Sequence, residues 1–243
     1  MAEADVLNIE ELTKVLNTGK RAFILNPPAD PSTDTVKEEK RSKDALIEAV
    51  KNSTLEKIVV ESTYGARKGD AIGDLGVLYE LEEGMKELSI SVTVTRGAYY
   101  MSNWKYSLET AKSDGKVFTL YPVDFKLPMV APADIGRVAA HLLRESKSAT
   151  GLYYVEGPTT YSSTDVANAY SKALNKKVEA VEIPPSGWKE YLQKGGFSDK
   201  AAESMINMTK LTIEKIAETP AGALRGKTTL EQYINQVVNE KRS

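Results

Sequence analysis

Short apolar runs alternate with longer amphipathic segments along the first three quarters of the chain, and this alternation constrains the fold more than any other feature. The run AFIL at residues 22–25 is apolar at every position, which predicts a strand buried on both faces of a parallel sheet. The charged segment 36–50 that follows has apolar residues at helical spacing. Repeated strand–helix–strand units predict an α/β fold, a doubly wound and mostly parallel sheet with helices on both faces.

The order of elements can be predicted from the same pattern. The predicted strands are residues 22–25, 57–60, 90–95, 117–120, 152–155 and 178–183. The predicted helices are Ile9–Leu16 and residues 36–50, 77–88, 133–144, 164–174 and 230–238, with one more after Asn103. From Pro184 onward we expect no strands, and residues 187–218 are interpreted as helices broken at Gly195 and Gly196. We therefore expect a core at residues 1–155 and a smaller helical cap at residues 156–243.

Composition excludes several classes of function. Among the 243 residues, 32 Lys and Arg balance 34 Asp and Glu, so the chain lacks the basic surplus of a nucleic-acid-binding protein. There is no cysteine, and His141 is the only histidine, so we expect no metal site and no cysteine nucleophile. No apolar stretch is long enough for a membrane helix, and the first residues are acidic, so we expect a cytoplasmic protein without a membrane partner.

Catalytic motifs are few. A G-x-S-x-G nucleophile motif and the two common phosphate-binding glycine motifs are missing from the sequence, and the glycine-rich segment 65–76 is interpreted as a flexible active-site loop. Tyr64 and Lys68 have the spacing of a tyrosine–lysine catalytic pair, but Gly65 and Gly69 favour a loop there. Tyr79, in the next helix, is the candidate proton donor.

Five segments, in this order along the chain, resemble one known family. They are FILNPP at 23–28, IVVESTYGA at 58–66, VTRGAYYMSN at 94–103, VAPADI at 130–135 and YVEGP at 154–158. Together they resemble the NmrA-like, atypical short-chain dehydrogenase/reductase family, whose members bind NAD(P) and are related to NADPH:quinone reductases. The resemblance covers nearly the whole chain and implies a Rossmann-like fold.

The resemblance also implies a function and a site. It implies an NADP- or NAD-dependent oxidoreductase that transfers a hydride to a quinone or another small planar acceptor. The implied cofactor-binding residues follow two strands: Asn26, Pro27, Pro28, Ser62, Thr63 and Tyr64. The implied substrate-binding residues are Tyr99, Tyr100, Asn103 and Trp104, although ordinary packing beneath the cap explains their positions equally well. The alternative function is a non-catalytic NAD(P)-binding redox sensor that regulates a partner.

The chain departs from the family pattern at its start. Family members begin with a strand, a glycine loop and a helix that hold the cofactor's pyrophosphate, whereas residues 4–8 here already resemble the end of the third strand. We therefore expect a Rossmann-like sheet that is incomplete at the N-terminus and binds the dinucleotide poorly. We also expect an exposed sheet edge at residues 22–25 through which the chain self-associates.

Overall fold

The computed structural model describes residues 2–214, 220 and 222–240. In chain order the strands are β1 (Arg21–Ile24), β2 (Lys57–Thr63), β3 (Ser91–Gly97), β4 (Tyr99–Tyr100), β5 (Lys116–Thr119), β6 (Leu127–Val130), β7 (Gly151–Glu156), β8 (Thr160–Tyr161), β9 (Glu179–Glu182) and β10 (Leu224–Arg225). The α-helices are α1 (Ile9–Leu16), α2 (Thr35–Lys51), α3 (Asp74–Lys86), α4 (Leu108–Ser113), α5 (Pro132–Arg144), α6 (Ser163–Leu174), α7 (Trp188–Lys194), α8 (Asp199–Ile213) and α9 (Leu230–Glu240). Met101–Ser107 and Pro185–Gly187 form 3₁₀ helices.

Five strands form the central sheet in the order β1-β2-β3-β7-β10. All four strand pairs are parallel, as the alternation of strands and helices predicts. Because all five strands run in one direction, their carboxyl ends open on the same edge of the sheet.

Helices cover both faces of this sheet. Alternate residues of a strand point to opposite faces, and β2 shows the division clearly. Ile58 and Val60 pack with buried residues of α2 and α3, whereas Val59 between them packs against Ala139 and Leu142 of α5. The doubly wound α/β fold is therefore confirmed.

The expectation that residues 22–25 are buried on both faces is wrong. Ile24 is buried against α2 and α3, but Phe23 on the opposite face is 39% exposed. The reason is position, because β1 lies at the edge of the sheet and has a neighbouring strand only in β2 within the described residues.

Two predicted strands exist but lie outside the central sheet. The strand predicted at 117–120 is β5, and it pairs in parallel with β9, the strand predicted at 178–183, in a separate two-stranded sheet. The chain leaves the central sheet after β3 through a 3₁₀ helix and α4, and it returns only at β7. The inclusion of residues 117–120 in the doubly wound sheet is thus wrong.

The expectation of no strands after Pro184 is also wrong. The two-residue strand β10 pairs with β7 and extends the central sheet. A strand of two residues is too short to show periodicity in the sequence. The predicted break at Gly195 and Gly196 is confirmed, since it separates α7 from α8. Residues 215–218 of the predicted helical segment lie outside the described residues, and the division at residues 155 and 156 stays a prediction.

The helices of the described residues are too short or too polar to cross a lipid bilayer. The same part of the chain contains no cluster of carboxylate and histidine side chains arranged to hold a metal ion.

Candidate functional site

The carboxyl edge of the central sheet brings together the segments singled out in the sequence. Asn26, Pro27 and Pro28 follow β1, residues 62–64 end and follow β2, and Tyr99 and Tyr100 follow β3. In open parallel sheets ligands bind outside the carboxyl ends of the strands. This edge is therefore the candidate active site.

Asn26 fixes the loop after β1. Its buried side chain donates a hydrogen bond to the backbone oxygen of Glu39 at 3.1 Å and accepts one from the Ser42 hydroxyl at 2.9 Å. Both partners belong to α2, so the amide of Asn26 anchors this loop to the helix. Pro27 beside it is half-buried and Pro28 is exposed.

Ser62 points into the interior on the α3 side of the sheet. Its buried hydroxyl donates to the carboxylate of Glu82, which also binds the guanidinium of Arg96. The hydroxyl of Ser62 is thus engaged within the protein, and the half-buried Thr63 is the neighbouring residue that faces the edge.

Tyr64 is half-buried and belongs to a second polar network. Its hydroxyl donates to Glu156 at 2.7 Å, and Glu156 forms an ion pair with Arg225 at 2.7 Å. Burial and the adjacent Glu156 carboxylate raise the pKa of Tyr64. The ring of Tyr64 also meets the ring of Tyr154 edge to face, with centroids 5.1 Å apart.

Tyr100 contacts a buried carboxyl group that the sequence reasoning missed. Its hydroxyl donates to Glu61 Oε1 at 2.8 Å, and the Thr95 hydroxyl and the Gly97 backbone N–H also donate to this carboxylate. Burial raises the pKa of Glu61 to about 7. The available signal was a glutamate at the end of the apolar run IVV.

Gly97 makes this contact possible. A Cβ atom at Gly97 would lie 2.6 Å from Glu61 Oε1 and 2.8 Å from Tyr100 Cε1, closer than side chains can approach. The carboxyl group and the phenol ring therefore fill the space that a side chain at this position would need.

A second buried carboxyl group, also missed, lies between the loop after β1 and α3. Glu39 Oε1 accepts a hydrogen bond from the backbone N–H of Ala29 at 3.0 Å, and its carboxyl group is hydrogen-bonded to Asp74 in the first turn of α3. Burial, and then the charge of Asp74, raise the pKa of Glu39 to about 8. A shared proton thus links α2 to the start of α3.

Aromatic rings line the end of the site beyond β3. The half-buried ring of Tyr99 lies 5.9 Å from Trp104 and 6.0 Å from Tyr121, and Tyr121 stacks on Phe125 at 5.8 Å. Trp104 is buried in the hydrophobic core, whereas Asn103 is exposed.

Helix α8 lies over the glycine-rich loop. The loop accepts a hydrogen bond at the Ala71 backbone oxygen from Asn207 at 2.9 Å, and Met208 packs against Gly73. Residues 64–68 form no helix, so Tyr64 and Lys68 do not share a helical face, as expected. Tyr79 is half-buried on α3, one turn before Glu82.

The residues present fit only one end of a nicotinamide dinucleotide. Half-buried Pro27, Thr63 and Tyr64 form a shelf over the strand ends on which a flat ring can lie. The two helices that follow β1 and β2 suit a pyrophosphate poorly, because Asp34 caps α2 and Asp74 lies in the first turn of α3. The shelf fits the nicotinamide ring, and the described residues around it supply no comparable cradle for the phosphates.

One protein with sequence similarity is Prestalk A differentiation protein A of Dictyostelium discoideum. It is 21% identical over 210 residues, which are 86% of this chain and 65% of the relative. The chain therefore spans less than two thirds of the length of that relative.

Three solved structures share the fold. Triphenylmethane reductase of Citrobacter sp. has a TM-score of 0.75 at 15% identity, with 97% of this chain and 82% of that chain covered. An NADPH-dependent quinone oxidoreductase of Escherichia coli, complexed with NADPH, has a TM-score of 0.70 at 19% identity, with 99% and 83% covered. NmrA, a negative transcriptional regulator in complex with NAD, has a TM-score of 0.63 at 17% identity, with 99% and 81% covered.

The model of one protein family matches nearly the whole sequence. It spans residues 1–240, and its description is the NmrA-like family. The five resembling segments, the doubly wound sheet and this match agree with one another. The chain belongs to the NmrA-like family.

Proposed function

We propose that this chain is an NAD(P)H-dependent oxidoreductase that transfers a hydride to a quinone or another small planar acceptor. The observation that supports this most is the half-buried ring of Tyr99, which lies at the carboxyl edge between Trp104 and Tyr121. Flat aromatic surfaces favour flat ligands, because stacked rings bury apolar area without distortion. When bound, the cofactor supplies the hydride, and the protein orients the reactants.

The positions of the two surfaces support this proposal. The shelf of Pro27, Thr63 and Tyr64 follows β1 and β2, and Tyr99 follows the adjacent strand β3. A ring on the shelf and a planar acceptor against Tyr99 are therefore held at neighbouring strand ends. The similarity to a quinone oxidoreductase and to a triphenylmethane reductase agrees with an acceptor of this class.

The experiment compares acceptors in the full chain. Tyr99→Leu keeps the apolar volume but removes the aromatic face, so we expect the KM for naphthoquinone to rise about 2–10-fold, as the loss of an aromatic contact implies. The KM for an aliphatic aldehyde should not change. Tyr106→Leu is the matched control, because the side chain of Tyr106 is 90% exposed. Equal effects of Tyr99→Leu on both acceptors would contradict the proposed acceptor site.

One observation favours the alternative function, a non-catalytic redox sensor. The hydroxyls of Ser62 and Tyr64 are already bound to Glu82 and Glu156, so they leave few free polar groups for catalysis near the shelf. The fold similarity to a transcriptional regulator in complex with NAD agrees with this alternative. Turnover separates the two functions, since dinucleotide-dependent binding of a partner without acceptor-dependent NADPH oxidation would support the sensor.

A further inference from the structure

The carboxyl edge contains two tyrosine–glutamate hydrogen bonds, and their surroundings differ. Glu156, the partner of Tyr64, forms an ion pair with Arg225. A carboxylate in an ion pair carries no proton that it could pass on. The groups that contact Glu61, the partner of Tyr100, are two hydroxyls and one backbone N–H, and none of them is a cation.

Burial makes a charge on Glu61 unfavourable. The residue is 1% exposed inside the sheet, and an ionised carboxyl group without a counter-ion is poorly solvated there. Burial raises its pKa to about 7, so near neutral pH the protonated and charged forms are both populated. A general acid works best when its pKa lies near the operating pH.

The charged neighbours of the pair are few. Asp74 at the start of α3 adds a negative charge near Tyr100, and Glu39 beside it is the next carboxyl group. From α5 the apolar side chain of Ile135 packs close to Gly97, and from β3 the hydroxyl of Thr95 binds Glu61. The negative charge of Asp74 favours a protonated phenol and so keeps the donor loaded.

We propose that Tyr100 donates the proton that the reduced acceptor requires, and that Glu61 restores this proton to Tyr100. This inference rests on the proposed reductase function. It gives a role to the only buried tyrosine–carboxyl contact at the described carboxyl edge whose carboxyl group lacks an ion-pair partner.

The proton transfer balances as follows. An acceptor that has gained a hydride carries a negative charge on oxygen. The O–H bond of Tyr100 breaks, a new O–H bond forms on the acceptor, and the electron pair stays on the phenol oxygen. Protonated Glu61 then gives its proton to that oxygen and becomes a carboxylate, which takes a proton from water. The net consumption is one reduced nicotinamide and one proton for each acceptor.

The kinetic test compares three tyrosine variants with naphthoquinone and NADPH. Tyr100→Phe should lower kcat by about 10²–10⁴-fold, the range for loss of a general acid. Tyr106→Phe, a change at an exposed position, should leave kcat unchanged. A loss of kcat in Tyr79→Phe with none in Tyr100→Phe would overturn the inference and assign the donor to α3.

A pH profile separates proton supply from packing. Glu61→Gln keeps a hydrogen-bonding side chain of the same size but cannot release a proton at neutral pH. We expect it to abolish the change in kcat centred near pH 7, whereas Glu156→Gln should leave that change in place. A change in kcat near pH 7 that survives Glu61→Gln would overturn the role of Glu61.

A titration without cofactor tests the same pair independently of turnover. Carbon-13 NMR of glutamate carboxyl groups should show one signal that titrates near pH 7 and disappears in Glu61→Gln. In Tyr100→Phe this midpoint should rise, because the charged form of Glu61 loses a hydrogen-bond donor. A Glu61 midpoint near the ordinary value of about 4.3 would overturn the inference even if the wild-type chain were fully active.

The two proposals fail in different ways. Wild-type chain that oxidises no NADPH with any acceptor contradicts the proposed function and, with it, the donor role of Tyr100. Active wild-type chain with an undiminished kcat in Tyr100→Phe contradicts the donor role alone.

Discussion

The carboxylate of Glu82 binds the guanidinium of Arg96 through two hydrogen bonds, at 2.8 and 2.9 Å, and also accepts one from the hydroxyl of Ser62. Glu82 is fully buried on α3, and the other two residues lie near the ends of β3 and β2. This contact fixes the helix after the glycine-rich loop to the candidate active-site edge.

Glu82→Ala should lower the free energy of unfolding by about 3–5 kcal/mol, because it leaves the Arg96 cation half-buried without its partner. Urea unfolding measures the loss. Glu83→Ala is the matched control, since Glu83 pairs with Lys86 in solvent and such pairs contribute about 0–1 kcal/mol. Similar small losses in both variants would show that the buried pair does not hold α3 in place.

The stability of the chain should decrease as pH rises from about 4.5 to about 8. Glu39 has a pKa of about 8 in the folded chain against 4.5 for an unperturbed glutamate, so over this range the folded state binds more protons than the unfolded state. The slope contributed by one such group is at most about 1.4 kcal/mol per pH unit, and it vanishes above pH 8.

Glu39→Gln mimics the protonated form, so it should reduce this slope and stabilise the chain above pH 8. Glu61 contributes with the same sign up to about pH 7, so part of the slope should remain. Glu38→Gln is the control, because the carboxylate of Glu38 faces solvent beside Arg41. Unfolding curves at several pH values measure the slopes, and equal slopes in wild type and Glu39→Gln would contradict this prediction.

We propose that the free edge of β1 pairs with a second copy of this chain. Unpaired backbone groups and the exposed apolar side chains of Phe23 and Leu25 lie at this edge, and such edges associate unless they are covered. Phe23→Lys should therefore shift the chain towards monomer in sedimentation experiments. Leu152→Lys is the control, since Leu152 is 42% exposed on β7, inside the sheet. A wild-type chain that sediments as a monomer would contradict the proposal.

Local patterns in the sequence predicted the local structure well. The helix Ile9–Leu16 begins and ends where its apolar spacing and the following Asn17 and Gly19 indicate. The strand ends at Asn26 and Ser62 were also predicted to meet at one edge, because parallel strands bring their carboxyl ends together. These features depend on a few consecutive residues and on the direction of strands.

Features that depend on distant residues could not be predicted in this way. The pairing of β5 with β9 joins segments about 60 residues apart, as the partners Lys116 and Glu179 show. Lys57 begins a buried strand and is itself fully buried, since its ammonium group binds backbone oxygens at the end of α5 and beyond it. The buried carboxyl groups of Glu39 and Glu61 likewise acquire their properties only from partners on other elements.

The central claim is that this chain reduces a planar acceptor at the carboxyl edge of its sheet. The most direct measurement mixes the purified chain with excess NADPH and naphthoquinone in the absence of oxygen, and follows the near-ultraviolet absorbance of the reduced nicotinamide. We predict a loss of this absorbance that requires both the chain and the quinone and that is strongly slowed in Tyr100→Phe. A folded wild-type chain that leaves NADPH unchanged with every quinone tested would contradict the account.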